Sequence, residues 1–282
     1  MIPAFTSNRP LSLRLIPPIH RRRVFKSQYP LQSIVFQCRG RSGELKQCAQ
    51  PSRICIRCYR PMPQNHLQLE AIERRLRQFT QTPIYLAAGM LTESVSSYEE
   101  ERQVIRYAVP KRQREFCSGR HLARVALNRA GITPTCVPRG PLGNPIWPES
   151  VVGSITHDHT HGAAVIGFDS ELQGLGLDLI ENPYQVTEDL TGQIMLPHEQ
   201  ALLHSLYPAL PSVGVAFSVK ESVVKAISVL VGRYIDLLEI RLNNTNQGGL
   251  TAHLDGIPAP LPCLVLQTQI GLVTCSFYPR KD

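Results

Sequence analysis

The stretch FSVKESVVKAI, residues 217–227, sets Lys220, Glu221 and Lys225 among small or apolar neighbours. At ~100° per residue in a helix the three fall within an arc of roughly 140°. Val219, Val223, Ala226 and Leu230 fall opposite. Glu221 and Lys225 stand at i and i+4, the favourable order for an ion pair. Two chemistries fit: a solvated surface pair, or a face that binds an anion and a metal. A surface pair would contribute a few tenths of a kcal/mol at about the usual level, but a surface helix usually carries more polar residues than this one. Upstream, GLGLDLIE (174–181) puts Asp178 between Leu177 and Leu179, with Glu181 three residues on. A lone carboxylate in an apolar strand is costly unless it is paired or bound to a cation. It either faces water from an edge strand or serves a hard ion such as Mg2+, which keeps several waters.

Two further clusters carry chemistry. In GSITHDHTHG (153–162), His157, His159 and His161 alternate, so in one continuous strand all three would face one way and could bind zinc. A zinc-dependent hydrolase built on them is the alternative reading, with a plain polar turn beside it; the H-x-H-x-D-H pattern of metallo-β-lactamases lacks its Asp here. In SGRHLARVAL (118–127), Arg120 and Arg124 share a helix face, and the planar guanidinium fork suits phosphate.

These residues need elements to hold them. TPIYLAAGML (82–91) reads as a buried strand. SSYEEERQVIRYA (96–108) reads as a helix with a Ser start and an acidic first turn. Pro110 interrupts, helix resumes over 111–131, and Gly131 stops it. A Pro/Gly-rich connection (133–150) leads to strands at 151–156, 163–168 and 174–181. Helices follow near 185–206 and 211–231, and the tail from Tyr234 alternates like antiparallel strands. Strands and helices mix without a regular β-α-β repeat, which gives the α+β class.

The formal charge of +8 over 282 residues first suggests a polyanionic partner. It is concentrated, however. Residues 1–61 hold 12 Lys+Arg against one acid, Glu44, while residues 62–282 hold 18 against 21. No nucleic-acid partner is therefore expected of the larger part. Residues 1–61 also hold Cys38, Cys48, Cys55 and Cys58. Three readings compete for them: a zinc site, a targeting peptide, and a disordered or non-native extension, the last being preferred. Met62 reads as a natural chain start before an amphipathic helix with Leu67, Leu69, Ile72, Leu76 and Phe79 as its stripe. The four scattered cysteines, 117, 136, 263 and 275, look like reduced thiols of a cytoplasmic protein. No window approaches the ~18 apolar residues of a membrane span.

In this order, Gly-Arg on a helix, Gly-Ser-Ile-Thr-His, Gly-Leu-Asp and Phe-Ser-x-Lys-Glu-Ser-x-x-Lys-Ala, the motifs resemble the 4′-phosphopantetheinyl transferases, most nearly the enterobactin synthase component D type. The resemblance runs from about Thr82 to Tyr278. It implies a pseudo-dimeric α+β fold, two similar halves (62–150 and 151–282) around a coenzyme A cleft. It also implies transfer of phosphopantetheine from coenzyme A to a serine of an apo acyl or peptidyl carrier protein, in siderophore, nonribosomal peptide or polyketide synthesis. Asp178 and Glu221 would hold Mg2+, or Mn2+ in its place. Glu221, or a metal-bound water, would take the serine proton, and Lys225 would help the leaving group. Lys220, Lys225, Arg120, Arg124, Thr156 and His157 would bind coenzyme A, with Asn144 near its adenine. Two positions depart from the pattern. The acid after Asp178 is Glu181 at +3, with Ile180 at +2. In a regular strand +2 and +3 face opposite ways, so Glu181 joins the metal only if the strand bends there. Asn144 stands where relatives often carry Lys or Arg.

Overall fold

The computed structural model describes residues 63–280 except Ser94 and Asn246, with side chains from Gln68 onward, and the backbone of two short strands nearer the start. Residues Met1–Pro51 and Ser52–Asp282 are separate compact units. In the first, β1 (Cys38–Arg39) runs antiparallel to β2 (Leu45–Lys46). The zinc, targeting and extension readings of residues 1–61, and the start at Met62, otherwise lie outside the described residues.

The larger unit is built from two helix-on-sheet assemblies. In one, β3 (Tyr85–Met90), β4 (Val151–His157) and β5 (His161–Phe168) form an antiparallel sheet in the order β3-β5-β4. The helix α3 (Pro110–Arg129) packs Leu122, Ala123, Ala126 and Leu127 on Ala164 and Ile166 of β5. In the other, β6 (Leu172–Ile180), β7 (Arg241–Asn244), β8 (Leu250–His253), β9 (Leu261–Thr268) and β10 (Gly271–Pro279) follow the order β6-β10-β9-β8-β7. The helix α6 (Ser212–Val231) lies on it. Both helices have 20 residues. The two sheets share a core in which Leu175, Leu177 and Leu179 of β6 meet Ala163 and Val165 of β5. α1 (Pro63–Thr80) closes that core with Ile72 and Leu76. The boundary expected at 150/151 runs between strands of one sheet, because β3 pairs with β5 along its whole length.

Local signals decide the helix ends. At the end of α3, Gly131 takes a left-handed φ of 78°, and Ile132 N–H reaches back to the Leu127 carbonyl at 3.0 Å. This is the cap that only glycine adopts without strain. Pro110 begins α3 instead of interrupting it, since a first-turn N–H needs no helical partner. α2 (Glu99–Ile105) starts at Tyr98 without a side-chain cap. The expected serine cap does not form: the Ser96 hydroxyl is donated to buried Glu101. The single helix expected near 185–206 is broken into two 3-10 turns, α4 (Thr191–Ile194) and α5 (Glu199–Leu206). Pro197 lacks the N–H that a continuous helix would use there.

Candidate functional site

The site begins with why α6 lies so close to β6. Gly174, Gly176 and Asp178 share the β6 face that meets α6. A Cβ at Gly174 would come within 2.0 Å of the Ala226 carbonyl, and one at Gly176 within 1.8 Å of the Ser222 carbonyl. The strand thus carries no side chain for two positions, and the helix backbone settles on it. Asp178, next on that face, then lies under the first half of α6, only 6% exposed.

Every oxygen of this buried carboxylate is engaged. Lys225 Nζ lies 2.5 Å from Asp178 Oδ1, and Thr156 Oγ1 donates to the same oxygen at 3.2 Å. Ser218 Oγ donates to Oδ2 at 2.8 Å. Thr156, from β4, also accepts from Leu179 N–H at 3.2 Å and from Lys225 at 3.3 Å. Glu221 is half-buried one turn before Lys225, so helix spacing puts it on the same flank. Two carboxylates therefore stand on this flank beside the Lys225 ammonium. Hard oxygen donors in that number fit Mg2+, which uses one or two carboxylates, waters and substrate phosphate oxygens. Among the described residues no three His, Cys, Asp or Glu side chains gather as an all-protein metal cage.

On the opposite face of β4 lies a cationic patch. His157 Nε2 is 3.0 Å from Arg112 Nη1 and 3.9 Å from Glu115 Oε2, both on α3. Burial lowers the His157 pKa; Glu115 opposes this, while Arg112 and Lys225 lower it further. The imidazole is therefore neutral near pH 7. Arg120 is 5% exposed, donates from Nε to the Val137 carbonyl at 2.7 Å and lies over the Phe116 ring at 4.3 Å. Burial pulls its pKa down to about 10, against the opposing pull of Glu101. β4 is an edge strand. Its outer edge runs beside β6: Ser154 Oγ donates to the Leu177 carbonyl, and Thr156, buried there, bonds Asp178 and Leu179.

Several expected site residues go elsewhere. Lys220 is 0% exposed, its Nζ 2.7 Å from Glu199 Oε2 and 2.8 Å from the Ile194 carbonyl. It lies in the core and contacts no substrate phosphate there. The reason is that α6 is buried nearly all round, whereas the sequence suggests one polar face. Arg124 pairs with Glu101 through Nη1 at 2.8 and 3.0 Å, and Glu101 also accepts from Val137 N–H, so this arginine ties α2, α3 and the following loop together. Glu181 turns from Asp178 and accepts from Thr160 N–H at 2.6 Å and His161 N–H at 2.7 Å. Burial raises its pKa, but these bonds outweigh it and the net shift is downward. It clips the β4–β5 turn and does not join the carboxylate pair. Asn144 belongs to the tight turn at 139–146, where Gly140 N–H bonds the Asn144 carbonyl and its amide donates to Pro145 O.

The histidine set does not converge. His157 pairs with Gly162 across the β4–β5 hairpin, so His161 projects from the other face, and His159 lies exposed in the turn. The chain turns at 158–160, so the period-two alignment of one strand does not apply, and the zinc-hydrolase reading falls. Sequence reasoning missed Arg112, Glu115, Ser218 and Thr274. Arg112 lies eight residues before Arg120 on the same helix, a readable signal; Thr274, 56 residues from Ser218, has none.

Comparison with known proteins agrees with this geometry. The 4′-phosphopantetheinyl transferase N-terminal domain model matches residues 100–167, and the 4′-phosphopantetheinyl transferase superfamily model matches residues 174–271. The 4′-phosphopantetheinyl transferase Svp of Streptomyces mobaraensis is 35% identical over 168 residues, 58% of this chain and 68% of that protein. The transferase Npt of Nocardia iowensis is 32% identical over 150 residues, 53% of this chain and 67% of its own. Enterobactin synthase component D of Escherichia coli K12 is 36% identical over 128 residues, 44% and 59% of the two chains. A holo-ACP-synthase structure from Plasmodium yoelii superposes with a TM-score of 0.30 and 15% identity, covering 39% of this chain and 97% of that one, too loose a likeness to carry an argument. With both halves matched in order, and relatives above 30% identity covered over two thirds of their length, this chain belongs to the 4′-phosphopantetheinyl transferases, which move phosphopantetheine from coenzyme A to carrier proteins.

Proposed function

We propose that the chain carries out this transfer with Mg2+ held between Asp178 and Glu221, and with Lys225 as the cation for the departing phosphate. One observation carries the reading: Asp178 is buried at the end of β6 with Lys225 on one of its oxygens, and Glu221 stands on the same flank. When bound, Mg2+ supplies a Lewis acid that offsets charge on the pyrophosphate oxygens. The carrier serine oxygen forms a bond to the phosphorus bearing the pantetheine arm, and the bond from that phosphorus to 3′,5′-ADP breaks. Glu221 takes the serine proton. Lys225 meets the charge developing on the leaving phosphate. Arg120, Arg112 and His157 line the opposite face of β4, suited to the 3′-phosphate. Arg120 and Arg112 contribute charge, and the neutral imidazole contributes one hydrogen bond.

The carrier is an acyl or peptidyl carrier protein of siderophore, nonribosomal peptide or polyketide synthesis, by analogy with the named relatives. Among the described residues no helix is long and apolar enough to cross a membrane. With Cys117, Cys136, Cys263 and Cys275 all free thiols, the reading includes a reducing, cytoplasmic setting.

The test is mass spectrometry of apo carrier proteins incubated with the chain, coenzyme A and Mg2+. A phosphopantetheine adduct is expected, and Glu221→Ala should lower its rate at least about a hundredfold with the circular-dichroism spectrum unchanged. Full activity in that variant would sink the assignment.

A further inference from the structure

The second oxygen of Asp178 has its own support, and nothing in the transfer chemistry requires the residues that provide it. Thr274 of β10 is the register partner of Asp178 on β6, so its side chain faces α6 beside the carboxylate. Ser218 and Thr274 are both 0% exposed. Ser218 Oγ lies 2.8 Å from Asp178 Oδ2 and 2.9 Å from Thr274 Oγ1. Thr274 Oγ1 also lies 2.8 Å from the Ser218 carbonyl.

Counting protons orients this chain. An ionised carboxylate only accepts, and each hydroxyl has a single proton. The Ser218 proton therefore goes to Asp178. Ser218 Oγ is then left to accept, and the single Thr274 proton goes to it or to the carbonyl of the same serine. The Ser218 hydroxyl points at Asp178, and Thr274 holds Ser218 through its hydroxyl oxygen and its carbonyl. Together they fix the plane of the carboxylate, with Oδ2 held inside the fold and Oδ1 presented to Thr156, Lys225 and the open flank.

We propose that Ser218 and Thr274 are positioning residues that hold Asp178 in its metal-binding orientation. This rests on Asp178 being a metal ligand. Neither hydroxyl touches substrate; both act through Asp178. Partners of this kind typically change metal affinity by about 10–100-fold when removed.

The test is Mn2+ binding to the full chain without coenzyme A, read by the electron paramagnetic resonance of free Mn2+, with circular dichroism to fix the folded fraction. Ser218→Ala should weaken Mn2+ binding by about tenfold. Thr274→Val, equal in shape but lacking the hydroxyl, should weaken it in the same direction, while Thr274→Ser should bind like the parent. A packing role alone would give the reverse order for the two Thr274 variants. In activity assays the metal concentration for half-maximal rate should rise more than kcat falls. Asp178→Ala separates the two layers of the argument. If it abolishes binding while Ser218→Ala and Thr274→Val bind Mn2+ as the parent does, the positioning role is overturned and the metal site stands. If Asp178→Ala itself binds Mn2+ normally, the metal-ligand reading fails and the positioning role with it.

Discussion

His157 shows how one residue's surroundings set its protonation. Burial among Arg112, Glu115 and Lys225 draws its pKa below the ordinary 6.5, and burial does the same to His121 on α3. The sign of the effect follows from proton counting. Below pH ~6.5 the unfolded chain takes up protons on these rings that the fold does not, so stability is present above that value and falls as pH drops through it. Each ring adds a slope of up to about 1.4 kcal/mol per pH unit in that window. His157→Gln should therefore lose less stability than the parent between pH 7.5 and 5.5, measured by urea midpoints at each pH. Equal slopes for the two proteins would contradict a depressed His157.

At the scale of elements, the packing of α6 on β6 determines where the carboxylates meet. Gly176→Ala places a methyl 1.8 Å from the Ser222 carbonyl, a backbone atom that cannot rotate away. The helix must move outward. The expected cost is at least about 3 kcal/mol, the upper end for overpacking, seen in the denaturation midpoint, with transfer lost as Glu221 and Lys225 shift from Asp178. The pair of Glu199 on α5 with Lys220 on α6 secures the other side of the same helix. Glu199 also accepts from Leu196 N–H at 2.9 Å and Leu242 N–H at 2.8 Å, so it joins α5, α6 and β7. Burial lowers the Lys220 pKa against the pull of Glu199. Lys220→Met leaves a buried carboxylate without its counter-ion and should cost about 3–5 kcal/mol. Adding Glu199→Gln should recover part of that loss. A double variant as unstable as the sum of the singles would mean that the two side chains do not act as a pair.

For the molecule as a whole, the division of charge falls ten residues after the division of structure. The basic excess lies in residues 1–61, and the helices and sheets that hold Asp178, Glu221 and Lys225 lie in the unit from Ser52 onward. α1 supplies Ile72 and Leu76 to the core between the sheets. A chain beginning at Met62 keeps that helix and every later element. It should fold with a single cooperative melt and modify carrier proteins at a rate within about threefold of the full chain, as expected when separate compact units contribute independently. Loss of activity on this truncation would assign residues 1–61 a part in the reaction.

The sequence by itself determined the residue types and their order along the chain. The acid in GLGLDLIE and the FSVKESVVKAI helix were legible because a carboxylate among leucines, and charges on an otherwise apolar helix, need an explanation that local structure does not supply. The α+β class was legible from the mixture of periods. What the tertiary structure decided is which charges face the site. A helical wheel sorts residues by angle, and it grouped Lys220 with Glu221 and Lys225 because nothing in the wheel says how many sides of the helix are covered. The β-sheet, α4 and α5 surround α6, so Lys220 ends in the core against Glu199. Glu181 was separated from Asp178 for a related reason: it follows the last residue of β6, where it accepts from the N–H groups of Thr160 and His161 at the β4–β5 turn. The support given to Asp178 by Thr274 comes from strand register across 96 residues of chain, a pairing that no local spacing encodes.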